Sequence, residues 1–265
     1  MKRTVLLIAL CAAALPVRTA AQVTAEPWFR AGTFMLTVEV GGAAFSDFDR
    51  TQARPVSEDS ELGDFSRRVS AKTAGSAGGW VGYWILNGWG VRAGMSYVPT
   101  SFTVWNDESA QRALDDLAPE ERDPSYASLA IWMANASTVF RFPRSFGRVV
   151  PYVMVGGGAI RYSPSDDAAL PPEARARFAD GDWQTGAAVF GIGAAVPLQR
   201  RNLLMSFELT SHFARTPLGD RSGEEMFELG GMSMQLAPDS DASGEDEVGM
   251  TSHFRLALGL TLPLR

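Results

Sequence analysis

The chain has 265 residues, of which 46% are hydrophobic and 20% are charged, and its formal net charge at pH 7 is −6. This acidic balance argues against nucleic acid as a partner, because binding to a phosphate backbone relies on clustered basic residues. The length suits one large all-β domain or two small domains. No segment after the N-terminal one is apolar for long enough to predict a helical membrane span.

Residues 1–21 have the pattern of a secretory signal peptide. Lys2 and Arg3 precede an apolar run that ends at Leu15, and small residues continue as far as Ala21. The run is too short to cross a bilayer, and the small residues after it are typical of a cleavage site. The single cysteine, Cys11, lies in this segment, so we expect the exported chain to contain no thiol.

Eight later segments have alternating, or small and apolar, residues, and each predicts a β-strand. Most are longer than the five or six residues of an average strand in a globular protein. Their lengths match a tilted strand that crosses a membrane and extends beyond it at the rims. The segments are 30–45, 67–85, 90–104, 125–140, 149–162, 183–197, 203–214 and 250–263.

Long and short connections alternate between these predicted strands. An eight-stranded up-and-down barrel with both termini in the periplasm has this arrangement, with four long outer loops and three short inner turns. The sequence therefore predicts an all-β fold over residues 26–265, an eight-stranded antiparallel up-and-down transmembrane β-barrel with long acidic extracellular loops. The long connections are 46–66, 105–124, 164–182 and 215–249, and the short ones are 86–89, 141–148 and 198–202.

Smaller elements are predicted in the connections. Asn87-Gly88 predicts a tight hairpin, because both residues tolerate positive φ. Helical spacing predicts short surface helices at 106–121 and 171–178. Residues 225–236 predict a hairpin that turns at Gly230-Gly231. Its arms are too short to cross a membrane, so we expect an extension above the barrel, although counting them would give ten strands.

The last two predicted strands indicate which face meets lipid. One face of each is bulky and apolar, and the other has charged, hydroxyl and small residues, which suits a narrow polar lumen. Aromatic residues near strand ends, among them Trp80–Trp84, Phe140 and Tyr162, predict belts at the membrane interfaces. We expect a structural polar cluster in the lumen, made of Glu39, Arg92, Glu208, His212, His253 and Arg255.

The only two histidines, His212 and His253, lie in identical TSHF stretches on adjacent predicted strands. In one register Glu208 faces Arg255, and the residues form a structural ladder. A slip of two residues sets the histidines opposite each other without changing faces. Two imidazoles with Glu208 form a zinc site only in that second register and with Arg255 displaced, so we predict no metal site.

The chain resembles the small outer-membrane β-barrel family of eight-stranded, OmpA/OmpX-like proteins. The similarity lies in the signal peptide, in VVPYVMVGGGAIRY at 149–162, and in the alternating last strand at 250–263. It covers essentially the whole exported chain. The resemblance implies a monomer in the outer membrane of a Gram-negative cell, in contact with outer-membrane lipid and lipopolysaccharide, inserted by the barrel-assembly machinery and without a cofactor.

Three functions are compatible with such a barrel. The favoured one is a non-enzymatic structural or surface-interaction role. The first alternative is a narrow porin-like channel for small solutes. The second is a lipid A deacylase-like esterase, whose family places a catalytic Ser two residues after its His. Here that position is Ala214, so the nucleophile is absent and no catalytic residue is predicted.

The last long loop is strongly acidic and is a candidate for binding divalent cations that bridge lipopolysaccharide phosphates. Acidic loops are more commonly solvated surfaces, and no calcium-loop spacing is present. The candidate residues are Glu224, Glu225, Asp239, Asp241, Glu245, Asp246 and Glu247.

Overall fold

The computed structural model contains twelve β-strands and one turn of 3-10 helix, Pro27–Phe29, in the residues that it describes. These residues are 27–55, 65–106, 127–143, 146, 148–165, 170, 178, 181–198, 203–217, 225–229, 232–238 and 250–264. The strands are β1 (Phe34–Phe45), β2 (Asp49–Pro55), β3 (Phe65–Ala71), β4 (Ala74–Leu86), β5 (Trp89–Asn106), β6 (Ser128–Arg141), β7 (Val150–Pro164), β8 (Trp183–Leu198), β9 (Leu203–Arg215), β10 (Glu225–Leu229), β11 (Met232–Pro238) and β12 (Met250–Leu264).

Eight of these strands close into an antiparallel barrel, which confirms the predicted fold class. Strand β1 pairs with β4 on one side and with β12 on the other. Pairing then continues from β12 through β9, β8, β7 and β6 to β5, and β5 pairs with β4. A closed barrel has no unpaired strand edge, which is the only way for a sheet to satisfy its backbone in lipid. The predicted acidity of the long loops concerns mainly residues outside the described ranges.

The hairpin between β4 and β5 turns where the sequence predicts it. Gly88 has a φ of 88°, a conformation that residues with a Cβ rarely adopt. The prediction of one strand over 67–85 was wrong, because the segment is divided into β3 and β4. The register against β5 changes by one residue between Ala71↔Phe102 and Ala77↔Tyr97. Residues 72–73 contain no strong breaker that would have revealed this irregularity.

A second sheet continues the barrel wall at its long-loop end. Strand β5 is 18 residues long, and its last residues pair with β3, which pairs with β2, then β11, then β10. The predicted hairpin at 225–236 corresponds to β10 and β11. Reading 46–66 only as a loop was wrong, since it contains β2, whose sequence DRTQARP has no apolar alternation. The helices predicted at 106–121 and 171–178 lie almost entirely outside the described residues.

The barrel exterior is apolar. Val38 and Val40 on β1 are 63% and 61% exposed, and Leu256 on β12 is 63% exposed. The predicted faces of β9 and β12 are confirmed, because their outward residues alternate with buried ones along each strand, and β1 has the same alternation. Exposed apolar side chains around a closed barrel are typical of outer-membrane-type transmembrane barrels. None of the described residues forms a helix long and apolar enough to cross a membrane.

Candidate functional site in the lumen

The polar side chains predicted for the lumen form a layer between two apolar clusters inside the barrel. Each of the six is buried, with at most 8% of its surface exposed, and each comes from an inward-facing position of its strand. The six are Glu39 on β1, Arg92 on β5, Glu208 and His212 on β9, and His253 and Arg255 on β12.

Arg92 and Glu208 form an ion pair across the lumen. The guanidinium donates from Nη1 to Oε2 at 2.6 Å and from Nη2 to Oε1 at 2.7 Å. The Tyr152 hydroxyl donates to Oε2 at 3.0 Å, and Arg92 Nε donates to the Ser137 hydroxyl at 3.2 Å. The guanidinium also lies 5.0 Å from the centroid of a Trp80 ring. Two parallel hydrogen bonds in an apolar surrounding make a strong and specific pair.

Arg255 pairs with Glu39 rather than with Glu208. Its Nη1 donates to Glu39 Oε1 at 2.5 Å, and its Nε donates to the Ser76 hydroxyl at 3.2 Å. The register that pairs Glu208 with Arg255 was therefore wrong. Arg255 lies opposite Thr210, and the carboxylate of Glu208 reaches across the barrel to β5.

The two histidines lie directly opposite each other on β9 and β12. The structure thus has the second of the two registers considered from the sequence. Nε2 of His253 shares a hydrogen bond with the Tyr162 hydroxyl, and the His253 ring packs edge-on to Phe45 with centroids 5.0 Å apart. Nδ1 of His253 and both ring nitrogens of His212 have no hydrogen-bond partner in the described part of the chain.

An apolar cluster closes the lumen at the short-turn end. The 3-10 turn before β1 places Phe29 inside, where its ring meets Trp84 edge-on with centroids 5.3 Å apart. Phe29 O accepts from Gly88 N at 3.3 Å, which ties the turn to the first hairpin. A small cavity of about 30 Å³ remains beside these rings. The other buried members are Met35, Val139, Val150, Tyr152, Met154, Ala195 and Leu204.

A second apolar cluster closes the lumen at the long-loop end. Phe48 and Phe102, both at most 2% exposed, pack edge-on with centroids 6.3 Å apart, and Phe102 meets Phe178 at 5.9 Å. Tyr162 is fully buried here. Trp84 and Tyr162 therefore face the interior, and assigning them to interfacial belts was wrong. Successive side chains of a strand point alternately inward and outward, so alternation along the strand determines which face a residue is on, and closeness to a strand end does not.

Inward-facing glycines make room for the large residues of the polar layer. A Cβ at Gly193 would lie 2.4 Å from Cζ and 2.5 Å from the hydroxyl of Tyr152, and this hydroxyl is bonded to Glu208. A Cβ at Gly191 would lie 2.0 Å from Cε of Met154. The interior is filled by side chains, as expected for eight strands.

We expect Gly193→Ala to destabilise the barrel by about 1–3 kcal/mol, the usual cost of overpacking a filled interior. The new methyl group would displace the Tyr152 ring from its hydrogen bond to Glu208. Urea unfolding in lipid vesicles measures the change. Gly186→Ala on the same strand is the control, because its Cβ would meet nothing closer than 4.0 Å. Equal stability of the two variants would contradict the close fit at Gly193.

Asp182 forms a small polar contact at the long-loop rim. It accepts hydrogen bonds from the Ser163 hydroxyl and the Arg161 guanidinium, and these hold the pKa of Asp182 below its ordinary value. The Arg161 side chain is more than half exposed, so this pair adds little to stability.

Other candidate residues are separated or lie outside the described ranges. Ser211 is on the opposite face of β9 from His212, and the inward position two residues after His212 is Ala214. Among the described residues, no group of three or more His, Cys, Asp and Glu side chains is placed to hold a metal ion. Of the acidic loop candidates, only Glu225 falls in a described segment, as the first residue of β10.

No protein-family model matches the chain, and no curated protein sequence is similar to it. Solved structures of outer-membrane proteins are similar to it over most of their length. The crystal structure of Neisserial surface protein A is 12% identical, with 87% of this chain and 98% of that chain covered and a TM-score of 0.42. OprG from Pseudomonas aeruginosa is 9% identical, with 88% and 97% covered and a TM-score of 0.47. Outer membrane protein AlkL is 13% identical, with 95% of each chain covered and a TM-score of 0.43. Likeness at this level carries no argument about the activity of this chain.

Proposed function

We propose that this protein is a non-enzymatic barrel of the outer membrane with a structural or surface-interaction role. The observation that carries the proposal is the closed lumen, in which apolar clusters around Phe29 and Phe102 lie on either side of the polar layer. A solute has no continuous polar path along such an interior. The parts left to meet other molecules are the apolar exterior, the extension sheet and the long loops.

The charges in the lumen support a structural role. Arg92 and Arg255 are each paired with a carboxylate at 2.6 Å or less, so the layer has no unpaired charge that would attract an ion of one sign. Hydroxyl groups on neighbouring strands complete the polar layer, as in the hydrogen bond between Thr37 and Thr261 at 2.6 Å. Such a layer holds strands in register, because a displaced strand would leave buried polar groups without partners.

The proposal also includes the molecules that this barrel would contact in the outer membrane. The apolar exterior is suited to outer-membrane lipid and lipopolysaccharide, and a chain of this class requires the barrel-assembly machinery for insertion. The closed barrel leaves no edge for pairing with another barrel, which supports a monomer. We also propose that, among outer-membrane barrels, the chain is related to the OmpA/OmpX-like proteins.

Conductance in planar lipid bilayers tests the channel alternative. We expect no single-channel steps at high protein load, with a wide porin reconstituted in parallel as the control for insertion. Reproducible steps that depend on this protein would contradict the structural role and favour the narrow channel.

Release of fatty acid from purified lipid A tests the enzymatic alternative. We expect none, because Ser211 and His212 lie on opposite faces of β9 and cannot meet. Release that disappears in His212→Ala would overturn the non-enzymatic assignment.

A further inference from the structure

A flat patch interrupts the bulky lipid-facing surface of the barrel on β6, β7 and β8. Two rows of outward positions cross these three strands in register, and no side chain in either row is larger than a methyl group. All six residues are exposed or half-buried, and we call them the small-residue patch. The rows are Ala134–Ala159–Gly186 and Ala136–Gly157–Ala188.

The barrel itself does not require glycine in the small-residue patch. A Cβ at Gly157 would lie 3.6 Å from the nearest atom, and a Cβ at Gly186 would lie 4.0 Å from it, so both positions have room for a side chain. Neither glycine is among those with positive φ. Glycine inside a strand often marks a place where a ligand approaches the backbone closely. The open space on this lipid face therefore indicates a molecule that lies against the wall.

Bulky side chains surround the small-residue patch. Met95 on β5 lies opposite Ala134, and Phe213 on β9 lies opposite Ala188. On the side of the short turns, the ring of Phe190 packs edge-on to that of Phe213, with centroids 6.0 Å apart. Three neighbouring strands span twice the usual strand spacing, so the patch is a shallow depression about 10 Å wide.

A polar and aromatic row borders the patch on the side of the long loops. Its members lie opposite one another on four consecutive strands, and they are Tyr97, Trp132, Arg161 and Gln184. The rings of Tyr97 and Trp132 have centroids 4.5 Å apart, and the Arg161 side chain is 58% exposed. Outward aromatic and basic side chains are typical of a membrane interface, where one end is apolar and the other is wet. The row corresponds to the headgroup level above the patch.

Two arginines give this border a positive charge. Arg161 binds Asp182 through Nε and Nη2, which leaves Nη1 for another acceptor. Arg215 on β9 is exposed and follows Ala214, which lies opposite Ala187, so it lies beside the small-residue patch. Two guanidinium groups outweigh the single carboxylate of Asp182, and the border therefore attracts an anion.

We propose that this depression binds one lipid A molecule, with its phosphates at Arg161 and Arg215 and its acyl chains on the small-residue patch. Guanidinium groups bind phosphate through parallel hydrogen bonds, and lipid A has a phosphate at each end of its disaccharide. Long loops of such barrels face the outside, where lipid A forms the outer leaflet. The inference rests on the proposed function, because it names the lipid that the apolar exterior would bind.

Retention of lipid A in native mass spectrometry tests the proposal. The chain without residues 1–21 is refolded into detergent micelles, mixed with diphosphoryl lipid A and released from the micelles in the spectrometer. We expect one retained lipid A per chain. Monophosphoryl lipid A should bind about tenfold more weakly, the effect of losing one hydrogen bond between charged groups. Arg161→Gln and Arg215→Gln should have similar effects, whereas Arg148→Gln near the short-turn end should have none.

Filling the depression is an independent test. Gly157→Leu places a bulky side chain where the acyl chains would lie, and we expect a folded barrel that no longer retains lipid A. The matched control is Gly42→Leu on β1, on the opposite side of the barrel, where a Cβ would lie 3.8 Å from the nearest atom. Heat-modifiable mobility on gels confirms folding, and Ala134→Leu replaces Gly157→Leu if that variant does not fold.

Three results would each overturn the lipid A site. They are no retention by the wild type, retention that none of the arginine and patch substitutions changes, and equal retention of phosphatidylglycerol. These results would leave the non-enzymatic role intact. Retained lipid A that has lost the mass of an acyl chain would instead show deacylation, which would overturn the proposed function while the binding site would stand.

Discussion

We expect Glu208→Ala to lower the free energy of unfolding by about 3–5 kcal/mol, the usual effect of removing one partner of a buried ion pair. The Arg92 guanidinium would stay in an apolar surrounding without its carboxylate. The Tyr152 hydroxyl would lose its acceptor as well. Urea unfolding of the barrel in lipid vesicles, followed by tryptophan fluorescence, measures the difference.

A double variant separates the pair from its surroundings. In Arg92→Met with Glu208→Leu both charges are gone, and we expect most of the lost stability to return, since apolar replacement of a buried pair is often neutral or stabilising. Arg92→Met alone should behave like Glu208→Ala, because the carboxylate is then unpaired. A cost below about 1 kcal/mol for either single change would mean that water solvates the layer, since exposed ion pairs contribute no more than this.

The second large effect is expected on the lipid face. Leu258 lies near the middle of β12, between Val40 and Phe207 on the adjacent strands, and is 43% exposed. Leu258→Arg is expected to destabilise the barrel in lipid by about 2–4 kcal/mol, the cost of placing a basic side chain at the bilayer midplane of a barrel. Unfolding from phosphatidylcholine vesicles measures it.

The matched control is Met250→Arg at the long-loop end of the same strand. Met250 is 68% exposed, and near the membrane interface the same substitution should cost about 0–1 kcal/mol. Equal costs at the two positions would contradict a membrane-embedded exterior. A soluble barrel tolerates a basic residue on its surface, so Leu258→Arg would then be harmless.

Strand positions and faces could be predicted from the sequence because they depend on local alternation. In β9 and β12 every second residue is bulky and apolar apart from Ser211, Arg215 and Ser252, and the residues of this series face outward in the structure. Pairing between strands is different, since a slip of two residues preserves every face. The pattern alone therefore could not decide whether Thr251 or His253 lies opposite His212, or whether Arg255 lies opposite Glu208 or Thr210.

Which charged residues of the lumen pair with each other depends on which strands face each other across the barrel. Arg92 and Glu208 are 116 residues apart, and nothing near either residue indicates the other. Tyr152, which donates a hydrogen bond to Glu208, lies on a third strand, β7. Position 193 requires a glycine because the ring of Tyr152, on another strand, occupies the space that a Cβ would fill. Such contacts follow from the three-dimensional arrangement and have no local signal.

The pairing of β1 with β12 has a consequence for the order of events during assembly. Phe34 lies opposite Leu264, so the contacts that seal the wall join residues from the two ends of the sequence. Loops of that length are slow to close, and high contact order delays folding. A chain cut before β12 would expose backbone edges on β1 and β9 at once, which hydrocarbon does not tolerate. We therefore expect insertion to be all-or-none with respect to the last strand, so that a chain cut before β12 stays outside the bilayer.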